Sequence, residues 1–300
     1  MLDVRRLHLL RELSHRGTIA AVAEALAYTP SAVSQQLSVL EKEAGVPLLE
    51  RTGRRVALTA AGRVLVGHAE AVLERLETAA ADLAHSVDEP GGPLHIGTVP
   101  SVTRALLPEA LPRLGRALPD LRPVLCETDP AQVPDALRSG RLDVALLQHY
   151  GAEPPPPPPG LNTVPLCTER MYLASPAAWK PPPGGRHAVR SWREAPWITA
   201  SPGTLCHTAA VEHCAAEGFA PDTVHHVDDF GAVLELVATG LGVAFVPELG
   251  AQAPPEGVVL AQVEHPRCTE VAFRRGAGGH PAVTAFTHAL MAAVPAGMRG

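Results

Sequence analysis

The side chains best placed to do chemistry begin near the amino terminus. Ser31, Ser34, Gln35 and Ser38 fall on one face of a predicted helix, Pro30-Ser31-Ala32-Val33-Ser34-Gln35-Gln36-Leu37-Ser38. Short hydroxyls and an amide in that arrangement can hydrogen-bond base edges and phosphates. Further on, Arg51, Arg54 and Arg55 offer guanidinium groups to a phosphate backbone or a minor groove. A second set falls at the carboxyl ends of predicted strands and the starts of helices: Thr98, Ser101, Thr103, Thr128, Asp129, Gln148, His149, Ser201 and Thr204. Hydroxyls beside helix N-termini suit a small anion such as a carboxylate, and His149 adds charge when protonated. A multiply charged phosphate calls for a cluster of Arg, and none marks these positions. A third set, Cys206, His207, His213 and Cys214 with His225 and His226 nearby, holds the elements of a thiol pair or a metal site.

The first set needs a scaffold, and the flanking residues supply one. Thr18 caps a short helix, Ile19 to Leu26. The chain turns through Ala27-Tyr28-Thr29. Thr29 caps the second helix, and Pro30 takes its first position, where a missing N–H does no harm. Val33, Leu37 and Leu40 recur at helical spacing and face inward, which leaves Ser31, Ser34, Gln35 and Ser38 outside. Gly45 stops the helix. Leu48 to Thr59, with its three arginines, reads as a small wing. Leu7, Leu10 and Leu13 share one face of a helix that braces the pair.

From Leu7 to Gly62 this pattern resembles the winged helix-turn-helix of the LysR-type transcriptional regulators. The matching residues are Ala20-Ala21, Ala25-Leu26, Pro30-Ser31-Ala32-Val33-Ser34, Leu37, Leu40-Glu41, Gly45, Leu48, Arg51, Leu58-Thr59 and Gly62. Leu49 stands where the family usually has Phe and fills a similar apolar site. The resemblance implies a bacterial regulator that binds double-stranded DNA through Thr29, Pro30, Ser31, Ser34, Gln35, Ser38, Arg51, Arg54 and Arg55. It implies a homodimer or homotetramer on an interrupted palindrome, a small-molecule effector, and contact with RNA polymerase.

Charge distribution fits that division of labour. The whole chain of 300 residues carries a formal charge of −6. Residues 1–63 hold nine Lys/Arg against six Asp/Glu, so a basic head of +3 sits on an acidic body of −9. No signal peptide and no apolar run of about 20 residues is apparent, so a cytoplasmic protein is expected. Five scattered cysteines are expected to be mostly free thiols in a reducing compartment.

Thr59 caps a third long helix, Ala60 to about Val87. Leu65, Ala69, Val72, Leu76, Ala79 and Leu83 step along it by four and three, a heptad seam. About 28 residues of helix span roughly 40 Å at 1.5 Å per residue. Such a stripe serves a dimerisation helix or the core of one domain, and the segment Asp88-Glu89-Pro90-Gly91-Gly92-Pro93 that follows reads as a hinge. In the resembling family this is the linker helix, which pairs antiparallel.

From Leu94 short apolar runs alternate with helices. Strands are expected at Leu94 to Gly97, Pro123 to Glu127 and Asp143 to Leu147. Helices are expected over Ser101 to Leu118, broken by Pro108 and Pro112, and over Ala131 to Ser139. This order implies a doubly wound sheet. Pro154 to Pro159 is a stiff polyproline loop. A second α/β unit follows, with strands at Met171 to Ala174, Trp197 to Thr199, Val224 to Val227 and Gly242 to Pro247. Its helices are Thr204 to Glu217 and Phe230 to Thr239. The chain returns through strands Val258 to Val263 and Thr269 to Phe273 and ends in a helix, Pro281 to Val294. Two α/β lobes with crossovers near residues 163 and 265 resemble periplasmic solute-binding proteins and the LysR-type effector domain. The run Phe230 to Val233 and Val237 to Pro247 resembles its signature.

The fold class is therefore α/β. It comprises a winged helix-turn-helix (1–59), a linker helix and hinge (60–90) and a two-lobe effector domain (91–300). The first lobe takes about 91–163 and 265–300, the second about 164–264. In the family, Ser101 at the start of the first effector helix is the most telling inducer position, and Pro247 closes the cleft from the other side. No cofactor is implied, and no catalytic constellation points to an enzyme: there is no nucleophile elbow, phosphate loop or useful carboxylate pair. The alternative is a thiol- or metal-responsive regulator. Cys206 and Cys214 lie where peroxide-sensing relatives keep a redox pair, but eight residues of intact helix separate them by about 12 Å, too far for a disulfide. The spacing of His207, His213, His225 and His226 matches no standard ligand set.

Overall fold

The computed structural model describes residues 1–52, 55–86, 91–180, 185 and 188–298. Three helices build the head: α1 (Val4–Arg16), α2 (Ile19–Ala25) and α3 (Pro30–Ala44). Local signals set their ends. The Thr18 and Thr29 hydroxyls accept from the backbone N–H groups of Ala21 and Ala32, and Gly45 ends α3 in the left-handed region at φ +71°. The wing is an antiparallel pair, β1 (Leu49–Thr52) and β2 (Arg55–Leu58). Leu7, Leu10, Leu13, Val22, Val33, Leu37, Leu40 and Leu48 form the head's core.

Helix α4 (Ala60–His85) starts at a Thr59 cap. A Cβ on Gly62 would come within 2.2 Å of the Leu48 carbonyl oxygen, so only glycine lets α4 approach the wing so closely. Of the predicted seam, Val72, Leu76, Ala79 and Leu83 are exposed, whereas Ala69 is buried in the head. The other edge of α4 lies on the effector domain. Ala81 is buried there, and a Cβ on Gly276 would come within 2.4 Å of the Glu74 backbone oxygen. The helix thus has both a packed edge and an open stripe. Half of the hinge expected after it, Asp88 to Pro90, lies outside the described residues.

The first lobe follows as β3 (Gly92–Thr98), α5 (Pro100–Ala105), α6 (Leu107–Ala117), β4 (Leu121–Glu127), α7 (Val133–Arg138) and β5 (Val144–Tyr150). The expected helix from Ser101 to Leu118 is broken at Leu106, with Pro108 in the first turn of α6 and Pro112 inside it. Strand β3 pairs parallel with β4 and β5. Short strands were expected beyond this point. The structure instead has two long ones, β6 (Leu161–Pro176) and, near the end of the chain, β10 (Val258–Arg274). They pair antiparallel with each other through both lobes. A register shift between Val263 and Arg267 makes room for the His265-Pro266 step, since proline lacks the N–H a ladder needs.

Between the long strands lies the second lobe: β7 (Pro196–Thr199), α8 (Leu205–Ala216), β8 (Asp222–His226), α9 (Phe230–Ala238) and β9 (Ala244–Pro247). The strand order is β4-β3-β5-β10-β6-β9, with β7 and β8 as a parallel pair whose Trp197 bridges Val243, the residue just before β9. The closing helix α10 (Pro281–Ala293) packs on α6 over the first lobe's core.

Head and first lobe are also joined by charge. Arg16 reaches Asp135 of α7 at 2.8 Å, and Arg11 donates to the Arg138 carbonyl. Glu12 sits wholly buried among them. Burial alone would raise its pKa, but His8, Arg11 and Arg16 hold it far below the usual carboxylate range.

Candidate functional site

The head presents its polar face as the helix periodicity requires. Ser31, Ser34, Gln35 and Ser38 are all exposed on α3, while Val33, Leu37 and Leu40 are buried beneath them. Thr29 and Pro30 are exposed at the helix start, with the Thr29 and Ser31 hydroxyls 3.1 Å apart. Glu41 accepts from the backbone N–H groups of Leu48 and Leu49, both at 2.9 Å, which fixes the wing against α3. Arg51 and Arg55 lie on the two wing strands, in register with Val56 and Thr52. Arg54 lies outside the described residues.

The effector domain gathers only part of the second set. Ser101, buried in the first turn of α5, accepts from Arg267 Nη2 at 2.9 Å. Gln148 Oε1 accepts from Arg267 Nη1 at 3.4 Å. Arg267 Nε donates to Glu169 Oε1 at 2.8 Å, and the second Glu169 oxygen accepts from the Leu249 N–H. Arg267 and Glu169 are each 1% exposed. Burial alone would lower the arginine's pKa. Glu169, Tyr150 and Cys206 outweigh it and keep the guanidinium charged. This pair was missing from the expected set. Both fall just outside the apolar runs expected as strands, Glu169 beside Arg170 and Arg267 between Glu264 and Glu270, so no local pattern set them apart. Next to it, the Tyr150 hydroxyl donates to Cys206 Sγ at 3.3 Å, and burial pushes the phenol's pKa up, so it stays protonated.

The other predicted residues divide. Thr98 and Thr103 bond to each other at 3.1 Å. Thr128 takes the Thr98 carbonyl through its N–H and the Cys126 carbonyl through its hydroxyl. Ser201 donates to Asp228, and Thr204 caps α8 by accepting from the His207 N–H. Pro247 is buried at the end of β9. His149 does not join Ser101. It falls one residue from Gln148 on β5, so strand alternation turns it to the opposite face, beside Cys268 and Thr168. Burial lowers its pKa, which further removes it as a source of charge. Besides Tyr150–Cys206, further contacts join the lobes across the cleft. Arg104 on α5 pairs with Asp229 at the start of α9 at 2.9 Å, and Asp129 accepts from the Leu205 N–H at 3.3 Å.

The third set does not converge either. Cys206 is half-buried in the first turn of α8. Cys214 is fully buried two turns on, its thiol pushed up to about 12 by burial and by Glu217. His207 and His226 share the Thr199 hydroxyl, whereas His213 meets His265 with ring centroids 4.1 Å apart. Among the described residues no three His, Cys, Asp or Glu side chains are grouped to hold a metal ion.

Comparison with known families decides the class. Residues 4–63 match the bacterial regulatory helix-turn-helix of the lysR family, and residues 88–295 match the LysR substrate binding domain. The chain belongs to the LysR family. It is a DNA-binding transcriptional regulator with an effector-binding domain, and LysR regulators assemble as oligomers. The transcriptional dual regulator OxyR of Escherichia coli is 30% identical over 85% of this chain and 81% of its own length. An OxyR cysteine mutant from Corynebacterium glutamicum superimposes with a TM-score of 0.58 at 22% identity, covering 98% of this chain and 92% of that one. CbnR in complex with its target DNA does so at 0.51 and 20%, covering 98% and 100%. These two likenesses bear on the fold alone. No helix of the described residues is long and apolar enough to cross a membrane.

Proposed function

We propose that this LysR-family regulator reads its operator with Ser31, Ser34, Gln35 and Ser38 of α3, positioned by Thr29 and Pro30. Arg51, Arg54 and Arg55 of the wing meet phosphates. Its effector is a small molecule whose hydrogen-bonding head, a carboxylate for instance, enters between the lobes. The observation that carries this reading is the convergence of Ser101 and Gln148 on the buried guanidinium of Arg267. The Gln148 bond is the longest of the set at 3.4 Å, so Arg267 Nη1 is the donor an incoming acceptor takes over. Thr103, Thr128, Ser201 and Thr204 line the entrance, with Thr98 buried behind Thr103, and Pro247 shapes its far side. Effector binding changes how the lobes sit on each other, hence the spacing of paired heads and their contact with promoter DNA and RNA polymerase.

The open stripe of Val72, Leu76, Ala79 and Leu83 supports pairing through α4 into a dimer or a dimer of dimers. We read the chain as three units, 1–59, 60–90 and 91–300, acting in the cytoplasm as a regulator and not as an enzyme. Replacing Ser34 by Ala is expected to weaken binding to the DNA upstream of its own gene, by roughly 1 kcal/mol or more. Unchanged binding would refute this assignment of the recognition face. Leu76→Asp is expected to give monomers by light scattering, and a persistent dimer would refute the α4 seam.

Thiol sensing is the second reading. It is favoured by the hydrogen peroxide-inducible activators among the relatives and by Cys206, half-buried beside Tyr150. The intact α8 and the buried, high-pKa Cys214 weigh against a Cys206–Cys214 pair. Thiol titration before and after peroxide discriminates: loss of two thiols supports sensing, and five unchanged thiols exclude it.

A further inference from the structure

The second lobe holds a cavity of about 190 Å³ that opens beside Tyr150 and Cys206. Its walls are Met171, Trp197, Ile198, Phe230, Val233 and Phe245. Trp197 and Phe245 meet with ring centroids 5.1 Å apart, in a tilted arrangement. Helix α8 also lines the cavity, with the small side chains Ala209, Ala210 and Ala216 among Cys206, Glu212 and His213. A helix face of alanines against an aromatic wall leaves a slot, because the side chains that would fill it stop at Cβ. His213 is half-buried in the lining. Burial and the neighbouring His265 push its pKa down to about 4, so it is neutral near pH 7. The lining's one carboxylate, Glu212, is exposed to solvent.

Size and chemistry point to one class of occupant. A cavity of about 150 Å³ lined by apolar side chains holds benzene, so this one accepts a benzene-sized ring with a small substituent. Aromatic walls favour offset or edge-on contact with a further ring at 4.5–7 Å. A charged group here would lose its hydration with no buried partner of opposite sign, whereas a hydroxyl can bond to the neutral imidazole of His213.

We propose that this cavity takes an uncharged aromatic ring, which is the body of the effector, while the effector's polar head lies in the cleft at Ser101 and Arg267. The proposal rests on the effector reading given above and narrows it to aromatic compounds of one ring. Benzyl alcohol serves as the probe, with the full-length protein and ligand-observed NMR or calorimetry. Benzyl alcohol is expected to bind the wild type in the millimolar range or tighter. Ala210→Leu fills the slot and is expected to weaken that binding about tenfold or more. Phe245→Ala widens it and is expected to shift preference toward 1-naphthylmethanol, which keeps the proposal testable if the first variant folds poorly. Absence of binding to the wild type, or equal binding to Ala210→Leu, would overturn the proposal. A gel shift in parallel separates the two readings. If the ring binds but no one-ring compound ever alters the DNA complex, effector control fails and the cavity assignment stands. If another compound alters the DNA complex and no one-ring compound enters the cavity, the reverse holds.

Discussion

The two walls of the cleft are built on opposite principles. One wall, where the two long strands meet the first lobe, is charged and hydrogen-bonded: Arg267 engages Glu169, Gln148 and Ser101, and Glu169 also takes the Leu249 N–H. The second lobe's wall is mostly apolar and aromatic, with space left by alanines and its one carboxylate, Glu212, turned to solvent. A buried ion pair is fixed, since moving either partner leaves an uncompensated charge. Apolar walls tolerate changes in the size and tilt of what they hold. One wall thus sets where an effector's head goes, and the other selects its body.

The largest expected effect tests the rigid wall. Glu169→Gln keeps the shape but leaves Arg267 without its counter-charge, and should cost about 3–5 kcal/mol in urea unfolding. A loss below about 1 kcal/mol would mean that water reaches the pair. On the soft wall, Ala210→Leu should change stability by less than about 1 kcal/mol, because the added methyl groups enter existing space. A cost like that of Glu169→Gln would remove the contrast. Acid sharpens it. His213 titrates near 4 in the folded protein against an ordinary 6.5, so the unfolded chain binds the extra proton between these values. Stability is therefore full above pH 6.5 and falls as pH drops toward 4. Thermal melting from pH 7 to 4.5 should show this fall, and His213→Phe should flatten it. The smallest effect belongs to the exposed Arg104–Asp229 pair. Arg104→Ala should cost under about 1 kcal/mol while loosening the lobes, seen as a larger radius of gyration by small-angle scattering.

What was legible in the sequence follows the range of the signal. Thr29, Pro30 and Gly45 announce α3 because caps act over three or four residues, and Val33, Leu37 and Leu40 orient it. The stripe on α4 was legible as a period, and Val72, Leu76 and Leu83 indeed stay open; its packed edge was not, because Gly276 that receives it lies two hundred residues away. Arg267 and Glu169 were missed for the same reason: they are 98 positions apart, and no local period links two strands. His149 lies on the opposite face from Gln148, as alternation along the strand allows one to read, since Gln148 and Tyr150 share a face that excludes it. The cavity left only a faint trace, the Ala209-Ala210 step and Ala216 on a helix with no strong apolar side.

The central claim is that the relation between the lobes governs the DNA complex. Arg104→Glu turns the Arg104–Asp229 contact into repulsion without touching the head. The direct test is a nuclease footprint of wild type and Arg104→Glu on the DNA upstream of the gene. A changed footprint length or cleavage pattern, with the half-site contacts of α3 retained, is the predicted result. Superimposable footprints at equal affinity would contradict the account.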